Sequence, residues 1–386
     1  MFTIIKNGDV YSPNYKGQQS ILIQGRSIIK IGDIDIELIK QLDPNLKIID
    51  ATGYTVMPGI IDPHIHLLGG GGEASYVTRT PEVQLTNLIS NGITSVVGLI
   101  GTDGISRTLT SLYAKARALE AEGVSTYMYT GNYHLPVTTI TNSIKEDLFL
   151  IDKVIGTGEI AINDFRSSIP TTEELARIVA DTTVGGMLSG KAGVTHFHIG
   201  TGKHKLKQIH DLIDHYDVKP NKLYVTHFDK GIDLLEEGIS LSHKGVYIDL
   251  TASTNTVEYV NYYQAHGGDI SKLTVSSDGH GSLPKFDEHN QLVGYDVAKC
   301  STLTDQLFNL LVQDSNWEEV IALFTSNVAN VLTLHHKGHI EEHYDADILI
   351  IDPKKKQIKD VFAKGQHMLS DYKMMRKGMF EDGCDW

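Results

Sequence analysis

The middle of the chain alternates between short apolar runs typical of β-strands and segments with helical spacing. The apolar runs end at Ile61, Leu99, Tyr129, Ile162, Phe197, Val225, Leu250 and Val275. Between them, apolar residues recur at i, i+3 and i+4 in 111–121, 171–179 and 205–215, which predicts amphipathic helices. Eight such alternations over about 280 residues predict an α/β fold, a (β/α)₈ barrel of TIM type.

Two local signals predict where helices begin. Pro81 followed by Glu82 is a favourable first turn, so a helix is expected over 81–89. Thr171 has Glu174 three residues later, the spacing of a reciprocal helix cap. The competing fold is a doubly wound open sheet. That fold's dinucleotide-binding members carry Gly-x-Gly-x-x-Gly after the first strand, and this sequence does not.

The two chain ends have a different pattern from the middle. Runs such as Phe2–Ile5, Ser20–Ile23 and Ala346–Ile351 are short and β-rich, and turns containing glycine or charged residues separate them. Two β-rich ends flanking the alternating region predict one small β-sandwich domain built from both termini. The predicted limits are 1–55 and 335–386 for this domain and 56–334 for the barrel.

Composition then excludes several classes of protein. The 386 residues carry a formal net charge of −14, whereas phosphate contacts need clustered Lys and Arg, so no nucleic-acid partner is expected. No apolar run approaches the roughly 18 residues of a membrane helix, and the N-terminus lacks the apolar core of a signal peptide. Cys300 and Cys384 are the two cysteines, too few for a disulfide framework. The expected location is the cytoplasm, with no membrane partner.

Histidines and an aspartate at strand ends are the candidate chemistry. His64 and His66 are two residues apart after the first apolar run, so in an extended chain both face the same side. Three later runs end on His198, His227 and Asp278. Because barrels gather catalytic groups at the C-terminal ends of strands, these residues predict a metal site. Imidazole and carboxylate suit Zn²⁺ best, with Mn²⁺, Fe²⁺ or Co²⁺ as alternatives.

The competing interpretation is that these histidines are ordinary packing or surface residues. The chain has 18 His, and most of them must be such residues. One histidine at a strand end is weak evidence for a ligand. The prediction depends on the complete set of five residues at the ends of four strands.

The sequence at these positions resembles a known family. PGIIDPHIH at 58–66 is similar to the signature on the first barrel strand of the amidohydrolase superfamily. Within that superfamily the chain resembles the isoaspartyl dipeptidases (β-aspartyl dipeptidases) over essentially its whole length. The segments that carry this resemblance are GGGGEA at 69–74, RTPE at 79–82, SVVGLIGTD at 95–103, TGNYH at 130–134, GKAGV at 190–194, FHIG at 197–200, TH at 226–227 and SSDGHGS at 276–282. GGGGEA and SSDGxGS are specific to the family, whereas His-x-His alone is not.

The resemblance implies a binuclear centre with two Zn²⁺ per chain. His64, His66 and Asp278 are then expected to hold the more buried ion. His198 and His227 are expected to hold the other. A hydroxide bridging the two ions would attack the amide carbonyl of the substrate, since paired dications acidify a shared water.

The bridging ligand departs from the family pattern. The family usually has a carboxylated lysine at the end of the fourth strand, but 154–166 contains no lysine. Alignment on 163–166 puts Glu159 at that position, and a carboxylate offers the same two oxygens and negative charge. Glutamate is shorter, so the backbone must approach the ions more closely, which Gly158 would permit. We expect Glu159 to bridge without a carboxylated lysine; the alternative is a loop acid beside a mononuclear centre.

The remaining roles also follow from the resemblance. Asp278 is expected to take the proton of the attacking water and pass it to the leaving amine. Tyr133 is expected to donate a hydrogen bond to the oxyanion. The substrate contacts implied by the family are Glu73 for the α-ammonium, Thr102 beside it, Arg166 and Ser282 for carboxylates, and Lys230 where the family has arginine. Lysine keeps the charge but loses the bidentate fork, so a looser carboxylate site is expected.

Two other functions compete with hydrolysis of isoaspartyl dipeptides. One is an amidase of the same superfamily acting on N-acyl amino acids or cyclic amides. Glu73 argues against cyclic amides, because these substrates have no free ammonium. The other is a non-catalytic barrel protein, which would lack metal ligands. The family resemblance also implies a homo-oligomer, namely an octamer.

Overall fold

The computed structural model describes residues 1–286, 292–313 and 316–384. The N-terminal part contains one helix, α1 (Ile36–Leu42), and five strands: β1 (Phe2–Ser12), β2 (Asn14–Gln24), β3 (Ser27–Ile31), β4 (Lys47–Asp50) and β5 (Thr55–Pro58). The strand predicted at Phe2–Ile5 extends to Ser12, because the break expected at Asn7–Gly8 is a bulge within the strand rather than its end.

The alternating region forms a parallel barrel, as predicted. Its eight strands are hydrogen-bonded in chain order. They are β6 (Ile60–Ile65), β7 (Ile93–Gly98), β8 (Ser125–Thr130), β9 (Val154–Ile162), β10 (Val194–Ile199), β11 (Leu223–Thr226), β12 (Tyr247–Thr251) and β13 (Leu273–Ser276). The His66 N–H donates to the Gly279 carbonyl at 2.9 Å, so the exit of the last strand meets the exit of the first.

The helices between these strands follow the periodic segments. They are α2 (Leu85–Ile89), α3 (Leu109–Glu122), α4 (Ile144–Leu150), α5 (Thr172–Ser189), α6 (Lys207–His215), α7 (Ile232–His243) and α8 (Thr256–Ala265). The predicted cap at Thr171 is present: its N–H donates to the Glu174 carboxylate at 2.8 Å, and the Glu174 N–H donates to its hydroxyl at 3.3 Å. The helix predicted from Pro81 begins only at Leu85, because the Val83 N–H bonds to the Leu67 carbonyl and keeps this segment extended.

A hairpin and three helices follow the barrel strands. The hairpin, β14 (Ser282–Phe286) and β15 (Leu292–Val297), leaves the barrel directly after β13. Helices α9 (Ser301–Leu311), α10 (Trp317–Phe324) and α11 (Ser326–Val331) come next. Val328 and Leu332, in and after α11, join an apolar and aromatic cluster with inward residues of the strands, including Tyr129 and Tyr224. No helix in the described residues combines the length and apolar character that crossing a bilayer requires.

The last four strands complete the sheet that the N-terminus begins. They are β16 (Ile348–Asp352), β17 (Gln357–Ala363), β18 (Gln366–Ser370) and β19 (Lys373–Met374). Antiparallel pairing of β16 with β5 joins the two chain ends in one nine-stranded sheet, as expected from the β-rich termini. The single run predicted up to Ile61 is in fact two strands, because Thr55–Pro58 pairs in this sheet and the barrel strand starts at Ile60.

Candidate metal centre and active site

Six residues converge at the C-terminal ends of five barrel strands, and we call them the ligand cluster. They are His64 and His66 at the end of β6, Glu159 within β9, His198 on β10, His227 after β11 and Asp278 after β13. Five of the six are buried, and Asp278 is partly exposed at the surface of a cavity. The structure therefore brings together every residue that the sequence nominated as a metal ligand.

His64 and His66 face the two acids of the cluster. The Nε2 atom of His64 lies 3.3 Å from Asp278 Oδ1 and 3.5 Å from Glu159 Oε2. The Nε2 atom of His66 lies 3.0 Å from Asp278 Oδ1 and 3.8 Å from Glu159 Oε1. Both imidazoles thus point one nitrogen into the space between the carboxylates.

Glu159 occupies the centre of the cluster. Its Oε2 atom also lies 3.3 Å from His198 Nδ1 and 3.7 Å from His227 Nε2. Three overlapping groups of ligand atoms are close enough to share a cation, and Glu159 belongs to two of them: His64, His66 and Glu159, and Glu159, His198 and His227. One carboxylate therefore faces both histidine pairs.

A bulge in β9 turns Glu159 inward. Thr195 on β10 pairs with Thr157, whereas Phe197 pairs with Ile160, so β9 carries one extra residue at this point. A Cβ atom at Gly158 would lie 2.7 Å from the Cβ of His196, closer than side chains tolerate. Glycine is required there because the backbone before Glu159 runs directly against β10.

Buried atoms without partners show that the cluster fits a cation. His64 Nε2, Glu159 Oε1 and Asp278 Oδ1 are buried and form no hydrogen bond within the described residues. Burial, and then the neighbouring Asp278, raise the pKa of Glu159 well above its ordinary value. Burial opposes ionisation of Asp278 too, but the nearby imidazoles of His64 and His66 outweigh it and hold its pKa well below the usual range. Divalent cations would provide the missing partner for these buried nitrogen and oxygen lone pairs.

Two ligand residues have left-handed backbone conformations. His227, directly after β11, has φ 76°, and Asp278, two residues after the end of β13, has φ 48°. Such conformations cost non-glycine residues about 1–3 kcal/mol each and concentrate at functional sites. Here the turn of the backbone directs each side chain towards the barrel axis, where the other ligands lie.

Three ligand histidines have a second partner on their other ring nitrogen. His64 Nδ1 lies 3.0 Å from His196 Nε2. His198 Nε2 lies 3.1 Å from Asp164 Oδ2, and His227 Nδ1 lies 2.7 Å from the Thr251 hydroxyl. Sequence reasoning did not assign these partners. The one available signal was spacing, since His196 precedes His198 by two residues on one strand and so shares its face.

The predicted substrate contacts line one cavity of about 400 Å³ above the ligand cluster. We call them the cavity wall: Glu73, Thr102, Arg166, Lys230 and Ser282. Tyr133 lines the same cavity, as do Phe165, Leu283 and Tyr295 nearer its mouth. His66, His198, His227 and Asp278 form its floor. The cavity thus connects the ligand cluster with acidic, basic and hydroxyl side chains.

Glu73 is the hub of the cavity wall. Its carboxylate accepts from the Ser282 hydroxyl at 3.1 Å and from the Thr102 hydroxyl at 3.4 Å. The Arg166 Nη1 atom also lies 3.4 Å from it. Ser282 was predicted to bind a carboxylate of the substrate. In the structure it contacts Glu73, the acid predicted to bind the substrate ammonium.

The two cations of the wall are held differently. Arg166 grips Asp164 with two N–H groups, at 3.0 Å from Nε and 2.8 Å from Nη2. Lys230 donates to the Ile199 carbonyl at 2.6 Å. Burial lowers the pKa of Lys230, and Asp229 partly opposes that effect. Two parallel N–H bonds to one carboxylate thus orient Arg166, whereas Lys230 has a main-chain contact and a longer approach of 3.4 Å to His198 Nε2.

Tyr133 lies between the ligand cluster and the cavity. Its hydroxyl is 2.8 Å from His198 Nδ1, the nitrogen that also faces Glu159. Burial, and then the nearby Glu159, raise the pKa of Tyr133 well above its ordinary value. The hydroxyl therefore stays protonated at neutral pH and is a hydrogen-bond donor beside the floor of the cavity.

Comparison with known proteins gives a consistent result. The model of the amidohydrolase family matches residues 55–368. A crystal structure of β-aspartyl dipeptidase from Fervidobacterium islandicum AW-1, in complex with β-Asp-Leu dipeptide, is 42% identical; the match covers 97% of this chain and 99% of that one, with a TM-score of 0.91. Enamidase from Eubacterium barkeri is 23% identical over 375 residues, 91% of this chain and 86% of that protein. D-Hydantoinase from Thermus sp. shares the fold, with a TM-score of 0.67 at 14% identity over 98% of this chain and 97% of that one.

Proposed function

Because this chain belongs to the amidohydrolase family, we propose that it is a metal-dependent dipeptidase that hydrolyses β-aspartyl (isoaspartyl) dipeptides. The observation that carries the proposal is the shared cavity. In the cavity wall, one acid, Glu73, and two cations, Arg166 and Lys230, line the same space as the ligand cluster. Asp229 lines it too, and its carboxylate accepts from the Thr251 N–H. A β-aspartyl dipeptide has one ammonium and two carboxylates, which is the complementary set of charges. The likeness to a β-aspartyl dipeptidase over 97% of the chain supports the same substrate.

The ligand cluster divides naturally into two cation positions. His64, His66 and Asp278 would hold one ion, and His198 and His227 would hold the other. Glu159 contacts both histidine pairs, which supports its role as the bridging ligand. When bound, two divalent ions, zinc by donor type, supply Lewis acidity that polarises the amide carbonyl and acidifies water.

The chain's own residues then move the proton and stabilise the developing charge. Asp278 has a lowered pKa, so its carboxylate is free to accept the proton of the attacking water and deliver it to the leaving amine. The Tyr133 hydroxyl keeps its proton, so it can donate a hydrogen bond to the oxyanion. Both groups line the cavity that would hold the scissile bond.

The wall residues orient the dipeptide. The ammonium of the substrate takes the place of Arg166 beside Glu73, where the Ser282 and Thr102 hydroxyls already converge. Arg166 stays fixed by its fork to Asp164 and directs its remaining N–H groups at a substrate carboxylate. Lys230 supplies the second positive charge through its ammonium group, which lacks the paired N–H groups of an arginine.

A substrate panel on metal-reconstituted protein tests this proposal. We expect turnover of β-Asp-Leu, none of α-Asp-Leu, and little of hydantoin or N-acetyl amino acids. Hydrolysis of a cyclic amide in preference to β-Asp-Leu would place the chain with another amidase activity of the family. Absence of all amide hydrolysis despite bound metal would contradict the proposal altogether.

Assembly and location are further parts of the proposal. A homo-oligomer, an octamer by family resemblance, is supported by large apolar side chains that are exposed, including Tyr76, Ile105 and Phe165. Analytical ultracentrifugation of the purified protein tests the oligomer. The cytoplasm is the location proposed, since the two cysteines are unpaired.

A further inference from the structure

His196 lies beneath the ligand cluster and lines no part of the cavity. It sits on β10 two residues before His198, so both side chains point into the barrel. Its ring is buried and stacks on Tyr129, with the centroids 5.0 Å apart and the planes at 17°. Tyr224 covers it from another direction at 4.7 Å. A polar ring enclosed in this way needs a reason beyond packing.

The contact of His196 is with a ligand histidine. Its Nε2 atom lies 3.0 Å from His64 Nδ1. The other nitrogen of His64, Nε2, faces Asp278 and Glu159 and has no hydrogen bond to any part of the chain that the structure describes. An imidazole that offers Nε2 to a cation must carry its proton on Nδ1, and that proton needs an acceptor. The atom in position to accept it is His196 Nε2.

We propose that His196 is a positioning residue for the metal centre: its Nε2 accepts the Nδ1 proton of His64 and fixes that ring with Nε2 directed at the cation. This inference rests on the metal centre proposed above. The neighbouring histidines show the same arrangement with other acceptors, since His198 contacts Asp164 and His227 contacts Thr251. Such outer partners set the tautomer and the orientation of a ligand histidine.

A neutral imidazole suits this position better than an acid does. Glu159 and Asp278 already place two carboxylates around His64. A third carboxylate directly beneath them would add a negative charge that repels the two carboxylates already present. The Gly158 main chain also lies close to the backbone and Cβ of His196, an approach that does not depend on the imidazole ring.

The competing explanation is that His196 only fills space between Tyr129 and Tyr224. Two substitutions separate the explanations, because each explanation predicts a different ranking of the two variants. His196→Phe keeps an aromatic ring and removes the acceptor. His196→Gln loses the ring but retains an acceptor near the position of Nε2. A packing role predicts that the Phe variant is normal, whereas positioning predicts that the Gln variant is the better one.

Metal binding, not activity alone, is the measurement. For wild type and each variant we would determine Zn²⁺ affinity by competition with a chromophoric chelator, the visible spectrum of the Co²⁺-substituted protein and the melting temperature without metal. We expect His196→Phe to weaken one Zn²⁺ site by about 10–100-fold and to change the cobalt spectrum. His196→Gln should recover at least half of that loss on a logarithmic scale. The metal-free melting temperatures should differ little between the two variants.

Thr195→Val is the matched control. Thr195 is buried on the same strand, and its hydroxyl forms no hydrogen bond within the described residues. This variant should bind Zn²⁺ like wild type. Should phenylalanine prevent folding, His196→Met compared with His196→Gln gives the same test, because methionine also lacks the acceptor.

The outcomes distinguish this inference from the proposed function. Wild-type affinity and an unchanged cobalt spectrum in His196→Phe, or in His196→Met, would overturn the positioning role. So would a Gln variant that binds no better than the Phe variant. Wild-type protein that binds no divalent metal would instead overturn the metal centre of the proposed function.

Discussion

The ligand cluster and the cavity wall above it are built in different ways. Members of the cluster such as His64 and Glu159 lie on strands, are fully buried and are held by the hydrogen-bonded sheet around them. The wall residues lie beyond the barrel strands, on connecting segments and, for Ser282, at the start of β14. They are partly exposed, and their contacts with one another are side-chain bonds such as those from Ser282 and Thr102 to Glu73. The cluster has one arrangement imposed by the barrel, whereas the wall depends on individual contacts that can be changed one at a time.

This difference predicts a division of labour. Substitution in the ligand cluster should remove hydrolysis of every substrate, because all of them need the same reaction centre. Substitution in the wall should change which substrates are accepted, because each contact recognises one charge. The experiments below test whether the two regions separate in this way.

The largest effect is expected for the bridging acid. Glu159→Gln keeps the shape of the side chain but removes the charge that faces four imidazoles. Mutation of residues that contact metal ligands from outside typically costs up to about 100-fold, and a ligand itself should cost more. We therefore expect activity on all substrates to fall by more than about 100-fold and bound metal to fall below two ions per chain. Activity assays and metal analysis of the purified variant check this.

Glu258→Gln, an exposed acid on α8, is the control and should retain full activity and metal content. Two tightly bound ions in Glu159→Gln would contradict the bridging role. Wild-type activity that rises with added bicarbonate would do the same, since it would indicate a carboxylated lysine elsewhere.

A smaller and more selective effect is expected for Glu73→Gln. The variant keeps hydrogen-bonding capacity towards Ser282 and Thr102 but loses the charge that pairs with the substrate ammonium. A charged hydrogen bond contributes about 1.5–3 kcal/mol, so kcat/KM for β-Asp-Leu should fall by about 10–100-fold. N-acetyl-β-Asp-Leu has no ammonium, and its slow hydrolysis should be the same in variant and wild type. An equal loss of kcat/KM for both substrates would show that Glu73 acts on the reaction itself, like the ligand cluster, and not on recognition of the ammonium.

The two regions also differ in how far the sequence predicts them. His64, His66, His198, His227 and Asp278 follow from strand-end positions, because a two-residue period and strand order are local properties. The residues of the cavity wall have no regular spacing in the sequence, and only the family resemblance predicted them. The contact of Ser282 with Glu73 joins residues 209 apart in the chain, so no local pattern reveals it.

Other features escaped sequence reasoning for physical reasons. The strand around Val56 appears continuous with the barrel strand because both are buried, although they pair in different sheets. Asp164 was visible only as part of an aligned motif, and its bonds to His198 and Arg166 depend on tertiary structure. The bulge that turns Glu159 inward depends on pairing with β10, which a single strand does not encode.

Lys230 tests whether a wall contact affects binding alone. Lys230→Met keeps the stem and removes the ammonium, so KM for β-Asp-Leu should rise about tenfold, corresponding to about 1.4 kcal/mol, with kcat changed less than about threefold. Lys222→Met is a matched control: Lys222 also donates to a main-chain carbonyl, that of Ala192 at 2.6 Å, but precedes β11 at the other end of the barrel. A fall in kcat without a rise in KM would show that Lys230 acts on the reaction through His198, which it approaches at 3.4 Å.

The smallest effect on activity is expected below the ligand cluster, at Asp249. Its carboxyl accepts from the hydroxyls of Thr226, Thr274 and Ser276, each at 2.6 Å, and it lies outside the cavity lining. Burial raises its pKa to about 7 from 3.8, despite these hydrogen bonds. Between these two values the folded protein keeps a proton that the unfolded chain has released. The free energy of unfolding should therefore fall as pH rises from 4 to 8.

Asp249→Asn removes this titration, and hydroxyl groups can reverse their roles to suit the amide. Relative to the variant, metal-free wild type should lose up to about 4 kcal/mol of stability between pH 4 and pH 8, since each pKa unit corresponds to 1.36 kcal/mol. Urea denaturation of both proteins at several pH values measures the difference, in which contributions of the shared ligand histidines cancel. Parallel stability curves would mean that Asp249 ionises normally in the folded state. Activity of the metal-loaded variant within about threefold of wild type would show that the reaction depends on the ligand cluster and not on the carboxylate beneath it.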